Sequence, residues 1–213
     1  MDVAELIARY PRLYHMAEAG SWASIQANGL LSTSALLDRF EVNGVRRWEI
    51  ESRRRPRSVA IEHSTHGRAV IRDQIPLNPT ILDRCLVGMT AAEWCETLNR
   101  RVFFWLEEDR VRRLLQARAY RAHPHDVLIL DTRSLVTAYE DRITLAHLNT
   151  GTTVFRAPLR GLTTFCSIAD YPFEVRRAVV ELAVDRSVND VAAHTLRVES
   201  RQGEAVLETL WTR

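Results

Sequence analysis

Apolar residues recur at helical spacing in some stretches of the chain and in short unbroken runs in others, and the two kinds alternate without a fixed period. Residues 5–10 predict a short helix stopped by Pro11, and Leu13-Tyr14-His15-Met16 a brief strand with His15 at or near its end. Trp22 and Ile25 sit at helical spacing, with Ser21 as the N-cap and Asn28-Gly29 as the stop before a Leu30-Leu31 strand. Residues 91–99 predict a helix, and the aromatic and β-branched run Arg101-Val102-Phe103-Phe104-Trp105 a buried strand. Val111, Leu114, Leu115 and Ala119 give residues 107–119 one apolar helical face, with Arg110, Arg112 and Arg113 largely on the others. Further strands are predicted over 126–131, 143–145 and 179–184, short helices over 134–139 and 189–193, and a final segment at Leu196-Arg197-Val198.

Between these elements the pattern weakens. Residues 41–58 carry Arg46-Arg47 and Arg53-Arg54-Arg55-Pro56-Arg57 and read as an exposed loop or frayed helix, either a solvated face or a phosphate contact. His66-Gly67-Arg68 precedes the short apolar run Ala69-Val70-Ile71, after which Pro76 and Pro79 break regular structure. Residues 149–173, rich in Gly, Thr and Pro, read as irregular structure or short edge strands. With no βαβ period and no internal repeat, an α+β fold is expected, as one domain over residues 1–213.

Composition narrows the function classes. A chain of 213 residues, 46% hydrophobic, is long enough for a substantial core, and 29 basic against 27 acidic residues leave only +2 of net charge. Charge alone therefore names no partner. All the basic residues are arginine, which suits bidentate anion binding but also an arginine-rich codon usage. Cys85, Cys95 and Cys166 match neither a zinc knuckle nor a disulfide framework and read as reduced, partly buried thiols. The opening Met-Asp-Val-Ala-Glu-Leu lacks the apolar core of a signal peptide, and no apolar run spans a bilayer, so a cytoplasmic protein without a membrane partner is expected.

Glu181 is the chemical anomaly, a carboxylate among the apolar residues of the 179–184 strand. Burying an unpaired carboxylate costs on the order of several kcal/mol, so the position must face water, a partner or a site. His15 has the same ambiguity between a hydrogen-bonded structural residue and a ligand. His63 and His66 lack a third ligand at zinc-like spacing, so no metal is expected, and His123 and His125, flanking Pro124, read as solvated turn residues. No GxGxxG, P-loop, GxSxG or HExxH pattern occurs, which argues against the enzyme classes those motifs mark.

Taken in order, Tyr14-His15, the helix with its Asn-Gly-Leu-Leu-Ser exit, the Arg101–Trp105 strand and Glu181 followed by Ser187-Val188-Asn189-Asp190 resemble the DarT-like branch of ADP-ribosyltransferases. The chain is also similar, over nearly its whole length, to a bacterial family of unknown function associated with that fold, through Tyr-His-Met-Ala-Glu-Ala-Gly-Ser-Trp, Ile-Arg-Asp-Gln, Asn-Arg-Arg-Val-Phe-Phe-Trp and Asp-Tyr-Pro. The resemblance implies two small packed β-sheets with flanking short helices and a toxin-like transferase that uses NAD⁺ as substrate. It implies Glu181 as the catalytic carboxylate, Arg72 or Arg101 as the substrate arginine, and His15 as the residue orienting the dinucleotide. Tyr14, Phe103 or Phe104 would stack on nicotinamide, although a Phe-Phe-Trp strand also suits a core. Residues 163–177, with Phe165, Asp170, Tyr171, Phe173, Arg176 and Arg177, correspond to the segment that selects the acceptor, here a nucleic acid, such as DNA, or a protein. An antitoxin or an ADP-ribose hydrolase is the implied partner. An NAD⁺ glycohydrolase, a catalytically silent nucleotide- or nucleic-acid-binding module, and a structural interaction protein remain open beside it.

Overall fold

Short polar side chains start most helices, each by accepting a backbone N–H that the first turn leaves unpaired. The computed structural model describes residues 1–153, 156–172 and 178–213. Asp2 caps α1 (Val3–Arg9) by accepting from Glu5 N at 2.7 Å, after which come β1 (Arg12–Glu18), α2 (Trp22–Asn28) and β2 (Leu30–Leu31). Ser21 precedes α2 but makes no cap bond with its side chain. The buried Asp126 does that work from across the sheet, its carboxylate accepting from Gly20 N at 3.1 Å and Trp22 N at 3.0 Å. Gly29 ends α2 with φ +83°, and a Cβ there would lie 2.8 Å from Asn189 Cα, so both backbone and packing require glycine.

Ser32 caps α3 (Thr33–Arg39), and α4 (Gly44–Glu51) follows, so of the exposed loop or frayed helix expected over 41–58, part is an ordered helix. A hairpin of β3 (Val59–His63) and β4 (Gly67–Ile71) leads to α5 (Pro79–Cys85), with Asn78 as cap and Pro at its first position, and to β5 (Leu86–Val87). Thr90 and Glu93 form a capping box on α6 (Ala91–Asn99), which runs into β6 (Arg101–Trp105). The chain continues through α7 (Glu108–Gln116), β7 (His125–Asp131), α8 (Thr132–Tyr139), β8 (Ile143–Ala146), β9 (Arg160–Gly161), β10 (Glu181–Asp185) and β11 (Ser187–Val188). It ends in α9 (Val191–His194) and a hairpin of β12 (Thr195–Gln202) and β13 (Ala205–Thr212).

Among the described residues, seven strands form one antiparallel sheet in the order β13-β12-β7-β1-β6-β10-β8, where two small packed sheets were expected. The join in the middle is slight. β1 pairs with β7 along its whole length, from Arg12↔Asp131 to Glu18↔His125, but meets β6 only at Tyr14↔Trp105. The sheet is therefore two halves held by one register pair. The β2–β11, β3–β4 and β5–β9 pairs lie outside it.

Each sheet face buries a core. On one, Leu13, Phe104, Leu128, Leu130, Leu182 and Val184 belong to the largest buried cluster, which also takes in residues of α1, α8 and α9. On the other, Tyr14, Met16, Val127 and Ile129 meet Val111 and Leu115 of α7. This is the period-2 consequence of side chains alternating across each strand. No helix among the described residues is long and apolar enough to cross a membrane.

Candidate functional site

The site begins where β1 and β6 part. Continuing from Tyr14↔Trp105, an antiparallel ladder would set Met16 opposite Phe103, but β1 has diverged by then. Buried backbone groups must still find partners. Two side chains serve: His15 Nδ1 bonds the Phe103 carbonyl at 2.8 Å, and Arg72 Nη1 donates to the Met16 carbonyl at 3.3 Å. A cavity of about 420 Å³ occupies this gap, with His15, Phe103, Arg72, Arg101, Asn149 and Glu181 in its wall. That is within the size range of small-molecule sites. The turn after β1, the α2–β2 exit and the end of β4 complete the wall.

His15 lies in the middle of β1, not at its end. A carbonyl oxygen only accepts, so the bond to Phe103 puts the ring proton on Nδ1 and leaves Nε2 with a lone pair. Burial pushes the imidazole down to about pKa 4, with the nearby Arg72 charge adding to the effect and the Phe103 bond opposing it. At neutral pH the ring is an uncharged hydrogen-bond acceptor. It suits a hydroxyl and repels a phosphate.

Glu181 is the first residue of β10, only 5% exposed, and pairs with Trp105, itself the partner of Tyr14. Register therefore starts Glu181 on the sheet face opposite to that of His15, and the gap between the halves lets one cavity reach both. Its Oε2 accepts from Thr150 N at 3.1 Å and Thr150 Oγ1 at 2.7 Å. Burial raises the carboxyl to about pKa 7, against the Thr150 bonds and the Arg110 and Arg160 charges, which pull it down. Near neutrality the group is poised between its two protonation states.

Both candidate arginines line the cavity, each partly committed elsewhere. The Arg72 guanidinium stacks 4.9 Å over Tyr120, whose hydroxyl donates to Asp73 at 2.7 Å, and the buried Nε has no partner among the described residues. Arg101 donates to the Thr97 carbonyl at 2.6 Å and lies 4.4 Å over the Phe165 ring. Burial lowers both pKa values, as it must for cations taken out of water.

The aromatic expectations divide. Phe103 lines the cavity, whereas Phe104, its neighbour on the opposite strand face, is fully buried in the main core. Tyr14 is withdrawn too, packed beneath α7 with its hydroxyl pKa raised by burial. Phe165 stacks on Trp94 at 6.0 Å and packs near Phe103 at 6.1 Å, away from the cavity wall. Tyr171 belongs to the main core and donates to the Ala178 carbonyl at 3.4 Å. Arg176, Phe173 and Arg177 lie outside the described residues.

Other polar residues also correct the sequence reading. His125 is buried, with Nε2 donating to the Tyr120 carbonyl at 3.1 Å, because it opens the central strand β7. Arg55 is buried as well, donating to the Ile50 and Arg72 carbonyls at 2.5 and 3.0 Å, so at least one arginine of the charged run supports the fold. His63 and His66 stack at 4.7 Å on the β3–β4 turn, and among the described residues no group of three metal-binding side chains is assembled. The cysteines are free thiols. Thr150, which holds Glu181, and Tyr120, which carries Arg72, went unnoticed in the sequence; only the Asn149-Thr150-Gly151-Thr152 run of small polar residues hints at a built loop.

No curated protein and no solved structure matches the chain. One family does, over residues 11–195, which include His15, Arg72, Arg101, Thr150 and Glu181. The chain belongs to that family, a family of unknown function designated DUF7002.

Proposed function

We propose that the cavity binds NAD⁺ and that the chain is a DarT-like ADP-ribosyltransferase, passing ADP-ribose to a nucleic acid or protein acceptor. The observation that carries this reading is the presence of neutral His15 and buried Glu181 on the wall of one cavity at the parting of β1 and β6. Breaking the bond between ribose C1′ and nicotinamide nitrogen sends the electron pair into the departing ring, which leaves neutral, while positive charge spreads over C1′ and the ring oxygen. A fixed carboxylate in a poorly solvated site stabilises that charge. Glu181 is such a group once ionised. The acceptor then forms the new bond to C1′ and gives up its proton to the carboxylate or to water.

His15 supports the same reading, since an imidazole Nε2 that only accepts is suited to a ribose hydroxyl. Arg72 or Arg101 would meet the pyrophosphate. A second reading, an NAD⁺ glycohydrolase with water as acceptor, is favoured by the packing of Phe165 and Tyr171 away from the cavity. The test is nicotinamide release by the purified protein and its Glu181→Gln variant, with NAD⁺ and nucleic-acid or protein acceptors. Release by the parent and loss in the variant is expected. Equal rates, or none from either protein with any acceptor, overturn the proposal, and free ADP-ribose without a labelled macromolecule selects the second reading.

A further inference from the structure

The loop over residues 149–153 meets Glu181 with two donors from a single residue, Thr150, and is itself fastened from outside. Arg160 Nη1 donates to the Thr150 carbonyl at 3.1 Å and to the Thr152 carbonyl at 2.8 Å. Thr153 anchors the far end: its Oγ1 accepts from Asn78 N at 2.6 Å and donates to Asn78 O at 3.0 Å, and its N–H reaches the Pro76 carbonyl at 3.0 Å.

Arg160 is itself immobilised. It is 2% exposed, pairs with Leu86 in the parallel β5–β9 bridge, and places its guanidinium 5.9 Å over Trp94. The next residue must be glycine, because a Cβ at Gly161 would fall 2.2 Å from the Val87 carbonyl oxygen. A buried cation donating to two backbone carbonyls of one loop and, through Nε, to Pro158 O at 3.3 Å, with no carboxylate at hydrogen-bond distance among the described residues, is a costly arrangement for stability alone. Its effect is to aim the Thr150 N–H and O–H at one carboxylate oxygen.

We propose that Thr150 and Arg160 are positioning residues for Glu181: Thr150 clamps the carboxylate directly, and Arg160 acts through Thr150 by fixing its loop. This rests on the reading of Glu181 as the working group of the site. The clamp leaves Glu181 Oε1 without a donor among the described residues and so available to a ligand. The charged groups acting on Glu181 are Arg160 from β9 and Arg110 from α7.

The experiment follows the Glu181 carboxyl titration by carbon NMR, assigned with Glu181→Gln, alongside nicotinamide release, in the full chain. Thr150→Val removes one donor to the charged form, so the Glu181 midpoint should rise by about one pH unit, with kcat lowered and KM for NAD⁺ little changed. Thr150→Ser should restore both. Arg160→Lys keeps the charge but loses the paired carbonyl contacts, and should displace the midpoint in the same direction. Two results overturn the clamp: an unshifted midpoint in Thr150→Val, or a parent-like midpoint in Arg160→Lys alongside a shifted one in Arg160→Gln, which reduces Arg160 to a charge. A shifted midpoint with no nicotinamide release by the parent upholds the clamp and removes the transferase reading. Release by the parent with titration unmoved in every variant does the reverse.

Discussion

His15 Nδ1 and the Phe103 carbonyl, 2.8 Å apart, close the ladder position that β1 abandons when it separates from β6. A side chain thus substitutes for a strand, and the space left by the strand becomes the cavity. The bond also fixes the tautomer, so the feature that stabilises the parting of the sheet gives the cavity its acceptor nitrogen.

The same burial sets a pH dependence of stability. The folded pKa of His15, about 4, lies below its ordinary 6.5, so as pH falls through 6.5 the unfolded chain takes up a proton that the folded one does not. Stability is fully present above 6.5 and falls by up to about 3 kcal/mol as pH drops to 4. Urea midpoints of the parent and of His15→Asn, compared at pH 7.5 and 4.5, read this out. The parent should lose more stability on acidification than the variant, and parallel losses would show that His15 carries no such linkage.

Glu181 gives the opposite sign. Its folded pKa, about 7, lies above the ordinary 4.5, so its contribution is fully present below 4.5 and is lost as pH rises through 7. Glu181→Gln keeps an oxygen for Thr150 and removes the charge. It should therefore stabilise the protein at pH 8, by up to about 3 kcal/mol, and change little at pH 4. Thermal unfolding at the two pH values decides it; a variant less stable than the parent at pH 8 would mean that the buried carboxylate is well compensated. A functional carboxylate held at a cost in stability is common where sites need unfavourable burial.

If the ionised carboxylate stabilises developing positive charge, turnover must follow its ionisation. The kcat/KM for NAD⁺ should rise with pH and reach its midpoint around 7, where burial places the Glu181 carboxyl. Nicotinamide release measured from pH 5 to 9 tests this, and a flat profile, or one that falls through 7, excludes Glu181 as the charge-stabilising group.

Where local chemistry and tertiary structure agree, the elements were legible. Residues 91–99 and 101–105 coincide with α6 and β6, since a capping box starts the helix and an aromatic, β-branched run has few alternatives to a buried strand. The terminal hairpin was not legible. Glu199 and Arg201 of β12 are buried as an ion pair, Arg201 also reaching Glu108 at 2.9 Å, so the strand has no clean apolar alternation. β13 adds Val206 and Leu207 as exposed edge residues, which reverses the usual pattern. His15 and Glu181 stood out as polar residues in apolar surroundings. Thr150 did not, because its meaning depends on Glu181, 31 residues away, which reaches it only through the pairing of β8 with β10. A small polar residue in a Gly- and Thr-rich loop has no signature of its own.

The adjacent rings of β6 provide a last test, because strand parity sets them on opposite faces, Phe103 on the cavity wall and Phe104 in the main core behind His15. Phe104 is fully buried in the main core, and Phe104→Ala should cost about 3–5 kcal/mol by lost transfer and the cavity left behind. Phe103 is partly buried, touches Phe165 and faces the cavity; its truncation should cost roughly 1–2 kcal/mol on the area it buries. Ligand affinity should reverse that order. NAD⁺ binding by calorimetry should weaken several-fold in Phe103→Ala, while Phe104→Ala, measured where it remains folded, should weaken it less, because that ring acts on the ligand only through its packing 5.7 Å from the His15 ring. If Phe104→Ala lost affinity and Phe103→Ala kept it, the ring facing the ligand would be the one assigned to the core, and the placement of NAD⁺ between β1 and β6 would be wrong.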